Sequence, residues 1–484
     1  MKKLKGIPFL YRYRFVLGYI ALMLVFFGLL SFLPMIAPGG VSSIEMDSVV
    51  ESQKITRNFI ADGQVLDLPY RLLQKVTTSV FGITLYSIKY PSIIIAVLTG
   101  LFLILLLNRW FKSDVAIVSS ILTTLSVAFL FLAGFGAPNI MYIFWLSAIL
   151  WLGSKIVGNK HTHPMLVISF AFCVAMSLYT PHLIYVALGI AIAGITHPHL
   201  RHSLKQLKIY QIIISIIVFI ITLAPLAISC IFNPAIIIKL IFTDNINLFI
   251  SNIATAFAPF FSFINAYDSV YLAPLFGLAT VALLIIGALA SIGKLFTSRN
   301  SVVSLLIIYA IVIAGFNKNA AISIVVPIAI LTTAGIESII QKWHSLFPEN
   351  PYAHIFGTLP LMTVVIFIIV TDLSHFIFGY HYTPAVANNF NNDITLIGEK
   401  LDSGTILIIP KGHPNYNFYK LFERNNNLTV TQDIPNRNDL PIASLGEPLK
   451  DKNLELKQII TSPKKLNSAR LYIYKKVTTE NQGS

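Results

Sequence analysis

The chain has 484 residues, of which 55% are apolar and only 12% are charged, and its formal net charge is +14. A soluble domain carries roughly a quarter of charged residues, so this composition excludes an ordinary soluble protein. The basic residues stand at the ends of apolar runs and not in a stripe with interleaved aromatic residues, which argues against a nucleic-acid partner. Composition predicts a polytopic α-helical membrane protein.

A membrane-spanning helix needs about 20 apolar residues, and the sequence predicts about 11 such helices. The stretch 165–195 is interpreted as two short helices, because Pro181 breaks it in the middle. Lysine and arginine gather at the N-terminus and in the predicted inner loops, which places the N-terminus in the cytoplasm and the chain in the cell membrane. The predicted spans are residues 15–36, 91–107, 115–131, 140–158, the two halves of 165–195, 209–231, 271–292, 302–316, 320–340 and 355–378.

The first outer loop, residues 38–90, is far longer than a connector between two spans needs to be. It opens with Glu45 and Asp47, followed by the amphipathic run 68–75. On an extended stretch, residues i and i+2 point the same way, so the two carboxylates would line one site. A positioned carboxylate acts as a general base on a hydroxyl. The alternative is that the pair is solvated or caps a helix, since a serine precedes Glu45 as in a capping box.

Further candidates lie in the other predicted outer loops and turns. A phosphate at the membrane surface needs cations and hydrogen-bond donors, although each of these side chains is also consistent with an ordinary solvated role. Tyr179, beside the proline break, and Asn139, in the outer turn 134–139, are candidates for contact with the acceptor. The candidates for phosphate or donor binding are Lys54, Arg57, His182, Lys239 and Lys318.

The composition becomes polar after residue 379, which divides the chain into a transmembrane domain, 1–379, and a small extracytoplasmic α/β domain, 380–484. Apolar and alternating patterns predict strands at 405–410, 428–431 and 470–475, and a short helix at 416–424. A loose tail is expected after Val477.

From the first loop onward the layout resembles the GT-C class of integral membrane glycosyltransferases, which includes protein O-mannosyltransferases and aminoarabinose transferases. The resemblance is carried by Glu45-Met46-Asp47, Leu68-Pro69-Tyr70, Phe81-Gly82, Tyr90-Pro91-Ser92 and the turn 136–139 with Phe144-Trp145. The stretch 347–353 resembles a signature of a bacterial subgroup.

The resemblance implies a GT-C-like fold and inverting sugar transfer from a polyprenyl-phosphate donor to an extracytoplasmic lipid, glycan or protein. It assigns the base to Glu45 or Asp47. The family usually has two adjacent acids here, whereas Met46 separates them in this chain. Many members also have an acid in the outer turn after the third span, where this chain has only Asn139, which cannot act as a base.

Two other functions stay open at this stage. A transporter or flippase of lipid-linked sugars usually shows internal repeats and ionisable residues at mid-membrane, which we do not detect. A non-catalytic assembly partner on the same scaffold is consistent with the missing second acid. No ligand cluster suggests a metal, and no cofactor is predicted beyond the lipid-phosphate sugar and membrane lipid.

Overall fold

The computed structural model describes residues 7–157, 162–242, 248–264, 270–293, 297–349, 351–423, 428–434, 441–449, 454–461 and 470–476. The first four-fifths of the chain is helical. Its helices are α1 (Ile7–Ile36), α2 (Ser43–Lys54), α3 (Leu68–Phe81), α4 (Leu85–Trp110), α5 (Ser113–Thr124), α6 (Val127–Gly134), α7 (Ile140–Val157), α8 (Pro164–Ser177), α9 (Ile184–Thr196), α10 (Pro198–Lys205), α11 (Ile209–Phe232), α12 (Ala235–Ile241), α13 (Phe249–Phe261), α14 (Leu278–Ile292), α15 (Ser298–Phe316), a 3-10 helix (Lys318–Ile324), α16 (Val325–Leu346) and α17 (Pro351–Tyr382).

Seven helical segments in the described part of the chain are long and apolar enough to cross a membrane, or eight if the bent pair α5–α6 is one span. The seven are α1, α4, α7, α11, α15, the 3-10 helix with α16, and α17. The predicted third span is the pair α5–α6, bent by 58°. The predicted fifth, sixth and eighth spans are the shorter apolar helices α8, α9 and α14. A further apolar helix, α13, lies in the segment predicted to be an outer loop.

Two sequence predictions for the first loop are wrong. Glu45 and Asp47 lie on helix α2 and not on an extended stretch, because Ser42 and Glu45 form a capping box that starts the helix. At about 100° per residue, positions i and i+2 then point to nearly opposite sides. The second span begins at Leu85 and not at Pro91, because Thr84 and Ser87 form another capping box.

Helices α14 and α16 approach closely at Gly287 and Gly335. A Cβ added at Gly287 would collide with the backbone carbonyl oxygen of Leu331, and one at Gly335 with that of Leu283. Small residues at such crossings let the two backbones come together where no hydrophobic driving force acts between helices. This contact fixes how α14 and α16 cross.

The C-terminal part carries a five-stranded sheet of order β4-β3-β5-β7-β6. The predicted strands are observed as β3 (Ile406–Ile408), β4 (Thr429–Thr431) and β7 (Arg470–Lys476), whereas β5 and β6 were not predicted. The predicted tail after Val477 and residue 350 of the stretch 347–353 lie outside the described residues. The remaining elements are β1 (Val41–Ser42), α18 (Pro384–Ala387), β2 (Phe390–Asn391), α19 (Asp393–Lys400), α20 (Tyr416–Tyr419), β5 (Ile442–Leu445) and β6 (Leu454–Thr461).

The first loop and the C-terminal part are held together by backbone pairing. Strand β1 pairs antiparallel with β2, with Val41 opposite Asn391 and Ser42 opposite Phe390. Met46 and Val49 of α2 are buried in the same apolar cluster as side chains of β3, α19 and α20. The structure thus agrees with the predicted fold class, a helical membrane protein with a small C-terminal α/β domain.

Candidate active site

Glu45 is fully buried, and both of its carboxylate oxygens accept hydrogen bonds from backbone N–H groups. Oε2 accepts from the N–H of Ser42 at 2.8 Å, which completes the capping box of α2. Oε1 accepts from the N–H of Gly136 at 2.6 Å, in the turn between α6 and α7. This carboxylate therefore ties the first loop to the helical bundle.

Lys89, near the beginning of α4, is the partner of Glu45. Its Nζ lies 3.9 Å from Glu45 Oε1, and both side chains are completely buried. This distance is that of an ion pair and not of a hydrogen bond. Among the described residues, Lys89 Nζ has no hydrogen-bond partner, although an ammonium group carries three donors. Buried donors are nearly always satisfied, so this exception requires an explanation.

The turn at Gly136 completes this group, which we call the Glu45 node (Glu45, Lys89 and Gly136). The carbonyl oxygen of Gly136 accepts a 2.9 Å hydrogen bond from Gln74 Nε2 of α3, and Gln74 Oε1 accepts from Ser48 of α2 at 2.8 Å. A Cβ at Gly136 would lie 2.7 Å from Ile88 Cγ2 and 3.1 Å from Glu45 Oε1. Only glycine lets the turn approach the carboxylate this closely.

Asp47 lies on the exposed face of α2, together with Glu51 and Lys54. Lys54 donates to Glu51 at 2.7 Å, and Arg71 Nη1 of α3 lies 3.4 Å from the other Glu51 oxygen. Partial burial and, after it, the charge of Glu51 raise the pKa of Asp47, while Lys54 acts in the opposite direction. The two predicted bases thus occupy different surroundings.

Asp67, which lies in the first loop just before α3, is a second buried carboxylate. Its backbone has a positive φ of 51°, and its side chain does not cap α3, although it stands at the N-cap position. Burial raises the pKa of Asp67 to about 6, against the smaller opposing effects of Arg71 and Thr180. Among the described residues, Asp67 Oδ1 has no hydrogen-bond partner of good geometry.

The turn between α8 and α9 adjoins Asp67. The backbone N–H of Asp67 donates to the carbonyl of Tyr179 at 2.8 Å. In the described part of the chain, Thr180 Oγ1 and both ring nitrogens of His182 have no hydrogen-bond partner of good geometry, and both residues are buried. Burial lowers the pKa of His182, while neighbouring backbone groups act against this, so the ring is a neutral hydrogen-bonding group at neutral pH. We call Asp67, Thr180 and His182 the Asp67 group.

Two other predicted site residues, Lys239 and Lys318, are close in sequence to residues that contact His182. The N–H of His182 donates to the carbonyl of Leu240 at 2.8 Å, next to Lys239, which is itself exposed on α12. The His182 ring stacks on Phe316 with centroids 6.3 Å apart, and the exposed Lys318 follows two residues later.

Buried and half-buried tyrosines and asparagines lie close to the Asp67 group. Tyr142 of α7 lies within electrostatic range of Asp67, and its hydroxyl accepts from Asn317 Nδ2 at 3.4 Å. Asn139 is buried and donates to the Tyr271 hydroxyl at 3.4 Å, while the Tyr179 hydroxyl donates to the carbonyl of Thr222 at 2.8 Å.

Tyr70 of α3 connects the two carboxylates electrostatically. Its hydroxyl and that of Ser92 are 2.8 Å apart. Burial, and then the charges of Glu45 and Asp67, raise the pKa of Tyr70, so both acids lie near this ring. The Glu45 node and the Asp67 group are therefore neighbouring parts of one region.

Of the residues predicted from the sequence, His182 lies in the turn beside Asp67, and Lys239 and Lys318 are exposed and close in sequence to residues that contact His182. Lys54 pairs with Glu51, and Arg57 is exposed in the first loop. Sequence reasoning did not select Lys89, Asp67 or Thr180. A signal for Lys89 was present, since a lone lysine in an apolar run is a functional candidate by default. Among the described residues, no group of three or more His, Cys, Asp or Glu side chains is arranged to hold a metal ion.

Comparison with solved structures defines the fold first. ArnT from Cupriavidus metallidurans in the apo state aligns with a TM-score of 0.52 and 9% identity, over 96% of this chain and 98% of that one. The same protein bound to undecaprenyl phosphate aligns over the same shares with 9% identity and a TM-score of 0.47. The apo oligosaccharyltransferase of Archaeoglobus fulgidus aligns with a TM-score of 0.51 and 11% identity, over 83% of this chain and 63% of that one. This chain therefore spans less than two thirds of that enzyme.

The sequence comparison adds a family. Residues 69–228, from the start of α3 into α11, match the family model for dolichyl-phosphate-mannose-protein mannosyltransferases. No curated protein sequence matches the chain. The family match supports the resemblance to GT-C glycosyltransferases and the prediction of a glycosyltransferase, and the solved structures share the fold. They do not address the bacterial subgroup.

Proposed function

We propose that this chain transfers a sugar from a polyprenyl-phosphate donor to a hydroxyl group on the extracytoplasmic side of the membrane, with inversion at the anomeric carbon. The observation that carries the proposal is the buried Lys89, whose ammonium group has no hydrogen-bond partner among the described residues. An anionic phosphate would satisfy these donors, and Glu45 would hold the ammonium group in place. The matching family is itself described by a dolichyl-phosphate sugar.

The helix that carries Lys89 also borders a place for a lipid tail. Further along α4, Gly100 and Ile104 line a groove of about 430 Å³ whose other walls are α1 and α5. Its lining is mostly apolar, with Leu22 and Phe26 of α1 among the side chains. One helix would thus present an ammonium group to a headgroup and an apolar wall to the chain attached to it.

The exposed cations Arg57, Lys239 and Lys318 would attract the anionic headgroup towards the region. A carboxylate of the first loop would take the proton of the acceptor hydroxyl, for which the sequence offers Glu45 and Asp47. A single displacement of the phosphate by the acceptor inverts the anomeric centre.

The first test measures binding of labelled undecaprenyl phosphate to purified protein. Lys89→Met alone would leave the Glu45 charge buried without a partner, so the Glu45→Gln/Lys89→Met double variant removes both charges. We expect the affinity of the double variant for the lipid to be lower by about tenfold or more, because it loses a hydrogen bond from a charged group. Lys112→Met, an exposed lysine just after α4, is the matched control and should bind normally.

The second test measures sugar transfer from a panel of undecaprenyl-phosphate sugars by wild type, Glu45→Gln and Asp47→Asn. Transfer by the wild type supports the proposal. If the wild type binds the lipid and transfers nothing from any donor, the proposal that this chain is an enzyme is overturned, and a non-catalytic partner is indicated. Movement of the lipid across vesicles without transfer would instead indicate a flippase.

A further inference from the structure

The two residues of the described chain that have a positive φ without being glycine are Asp67 and His182, at 51° and 65°. They are 115 positions apart in the sequence. Even so, the backbone N–H of Asp67 donates to the carbonyl of Tyr179, in the turn that ends at His182. Strained backbone persists only where the surrounding structure enforces it, and it gathers at functional sites. Strain alone assigns nothing, so the side chains decide what this place does.

Those side chains are buried, and several of their polar atoms lack a hydrogen bond of good geometry. Asp67 is 9% exposed, Thr180 1% and His182 4%. Asp67 Oδ1, Thr180 Oγ1 and both His182 nitrogens have no hydrogen bond of good geometry to any described residue. These four atoms belong to one turn and one adjoining loop residue, and they offer a carboxylate acceptor, a hydroxyl and an imidazole.

The carboxylate of Asp67 also does not cap its own helix. Ser42 and Thr84 occupy the same N-cap position on α2 and α4, and both accept a backbone hydrogen bond there. Asp67 makes no such bond to α3. Glu45, by contrast, has both carboxylate oxygens engaged, and Asp47 faces outward. Of Glu45, Asp47 and Asp67, it is Asp67 that combines burial with a carboxylate oxygen lacking a hydrogen bond of good geometry.

We propose that the Asp67 group is the acceptor subsite of the glycosyltransferase and that Asp67 is its general base. This inference rests on the proposed function and assigns the base to a third acid of the first loop, in place of Glu45 or Asp47, which the sequence offered. Thr180 and His182 would hydrogen-bond the acceptor around its reacting hydroxyl. The ligand is accordingly a neutral hydroxylated compound, since the group offers hydrogen bonds and, in His182, no positive charge.

The transfer step balances with the groups named. The acceptor oxygen forms a bond to the anomeric carbon, and its proton passes to the carboxylate of Asp67. The bond between that carbon and the lipid-phosphate oxygen breaks, and its electron pair leaves on the phosphate. Asp67 then loses the proton to water, which restores the carboxylate.

The environment of Asp67 suits a base near neutral pH. Burial raises its pKa to about 6, so the carboxylate is ionised at pH 7 and still accepts a proton. The titratable groups that interact with it are Arg71 and Tyr70 of α3 and Tyr142 of α7. His182 lies in the adjoining turn, and burial lowers its pKa.

The decisive variant is Asp67→Asn, with Asp62→Asn as control, because Asp62 is an exposed acid of the same loop. Purified protein is given an undecaprenyl-phosphate sugar and either octyl glucoside or 4-nitrophenol as acceptor. We expect Asp67→Asn to bind undecaprenyl phosphate normally and to transfer to octyl glucoside at least about 100-fold more slowly. Transfer to 4-nitrophenol, which ionises without a base, should fall far less.

Two further readouts separate the chemistry from a structural role. The rate of wild type with octyl glucoside should rise with pH through about 6 as Asp67 ionises, and Asp67→Asn should lose this rise. Thr180→Val, which removes one hydroxyl, should raise KM for octyl glucoside and leave lipid binding unchanged.

The outcomes distinguish the two proposals. If the wild type transfers to octyl glucoside and Asp67→Asn does so equally well, the base lies elsewhere and only this inference is overturned. If Asp67→Asn loses lipid binding as well, the group is not an acceptor subsite. If the wild type transfers to neither acceptor from any donor, the proposed function itself is overturned.

Discussion

Two buried carboxylates of one loop, Glu45 and Asp67, are treated in opposite ways by the fold. Glu45 accepts two backbone N–H groups and faces the ammonium group of Lys89. Asp67 is left with a carboxylate oxygen that no described residue bonds, on a backbone with positive φ. Burial of a charged group costs free energy unless the group is hydrogen-bonded or paired with an opposite charge. We therefore expect Glu45 to stabilise the fold and Asp67 to destabilise it.

This difference indicates where stability and function lie. A group whose bonds are all made holds elements together, and its removal should damage folding before anything else. A group kept buried at a cost to stability should matter to the chemistry, and its removal should improve folding. Changes at the two acids should therefore shift the free energy of unfolding in opposite directions.

The largest effect is expected for Glu45→Gln. The amide cannot accept both backbone N–H groups in the same way, and the charge of Lys89 stays buried without a counter-ion. Breaking a buried ion pair by removing one partner costs about 3 to 5 kcal/mol. The free energy of unfolding, measured in detergent by thermal or denaturant unfolding, should fall by this order, whereas Asp62→Asn should leave it unchanged.

The double variant Glu45→Gln/Lys89→Met sharpens this prediction. It removes the second charge together with the first, so it should recover part of the stability that the single variant loses. A double variant less stable than Glu45→Gln would mean that the ion pair is not what the single change disrupts.

A smaller effect of opposite sign is expected for Asp67→Asn. Its pKa in the folded protein, about 6, is above the ordinary aspartate value of 3.8, so the folded state holds the proton more tightly. The stability from this group is complete below pH 3.8 and is lost as the pH rises through 6. At pH 8 the variant should be more stable than wild type by roughly 3 kcal/mol, at 1.36 kcal/mol per pKa unit.

The measurement for Asp67→Asn is the unfolding free energy of wild type and variant between pH 4 and 8. The gain should shrink towards zero at the acidic end of this range. A variant that is less stable than wild type at pH 8 would show that Asp67 is a structural partner like Glu45, and the contrast between the two acids would fail.

The smallest effect is expected for Gly136→Ala. The added Cβ would lie 2.7 Å from Ile88 Cγ2 and 2.9 Å from the Ile88 carbonyl oxygen, so the turn must move away from Glu45. Overpacking of this kind costs about 1 to 3 kcal/mol. Thermal unfolding should show it, and Gly293→Ala, where the added Cβ meets nothing within 4 Å, is the control.

Hydropathy alone predicted most of the helical framework, because a membrane span is a local property of the sequence. Its errors at the first loop were also local. Ser42 with Glu45 and Thr84 with Ser87 start helices earlier than the apolar pattern does, and the sequence contains both pairs. The capping alternative for Glu45 was visible from one serine three positions before the acid.

The Asp67 group was beyond such reasoning. Whether Asp67 is solvated or buried is decided by the Tyr179–His182 turn and by α12, which lie far along the chain. No pattern around Asp67 encodes that contact. His182 was selected from its turn, but its neutral state follows from burial that only the fold reveals. The unpredicted strands β5 and β6 likewise depend on partners within the sheet.

The pairing of β1 with β2 has a consequence for biosynthesis. Val41 and Ser42 leave the ribosome early, but their partners Asn391 and Phe390 follow only after every helix of the bundle. Until then Met46 and Val49 lack the apolar surface of the C-terminal domain that buries them. The first loop therefore lacks its C-terminal packing partner through most of translation. A chain that stops before residue 390 would insert its helices with the candidate active site incomplete.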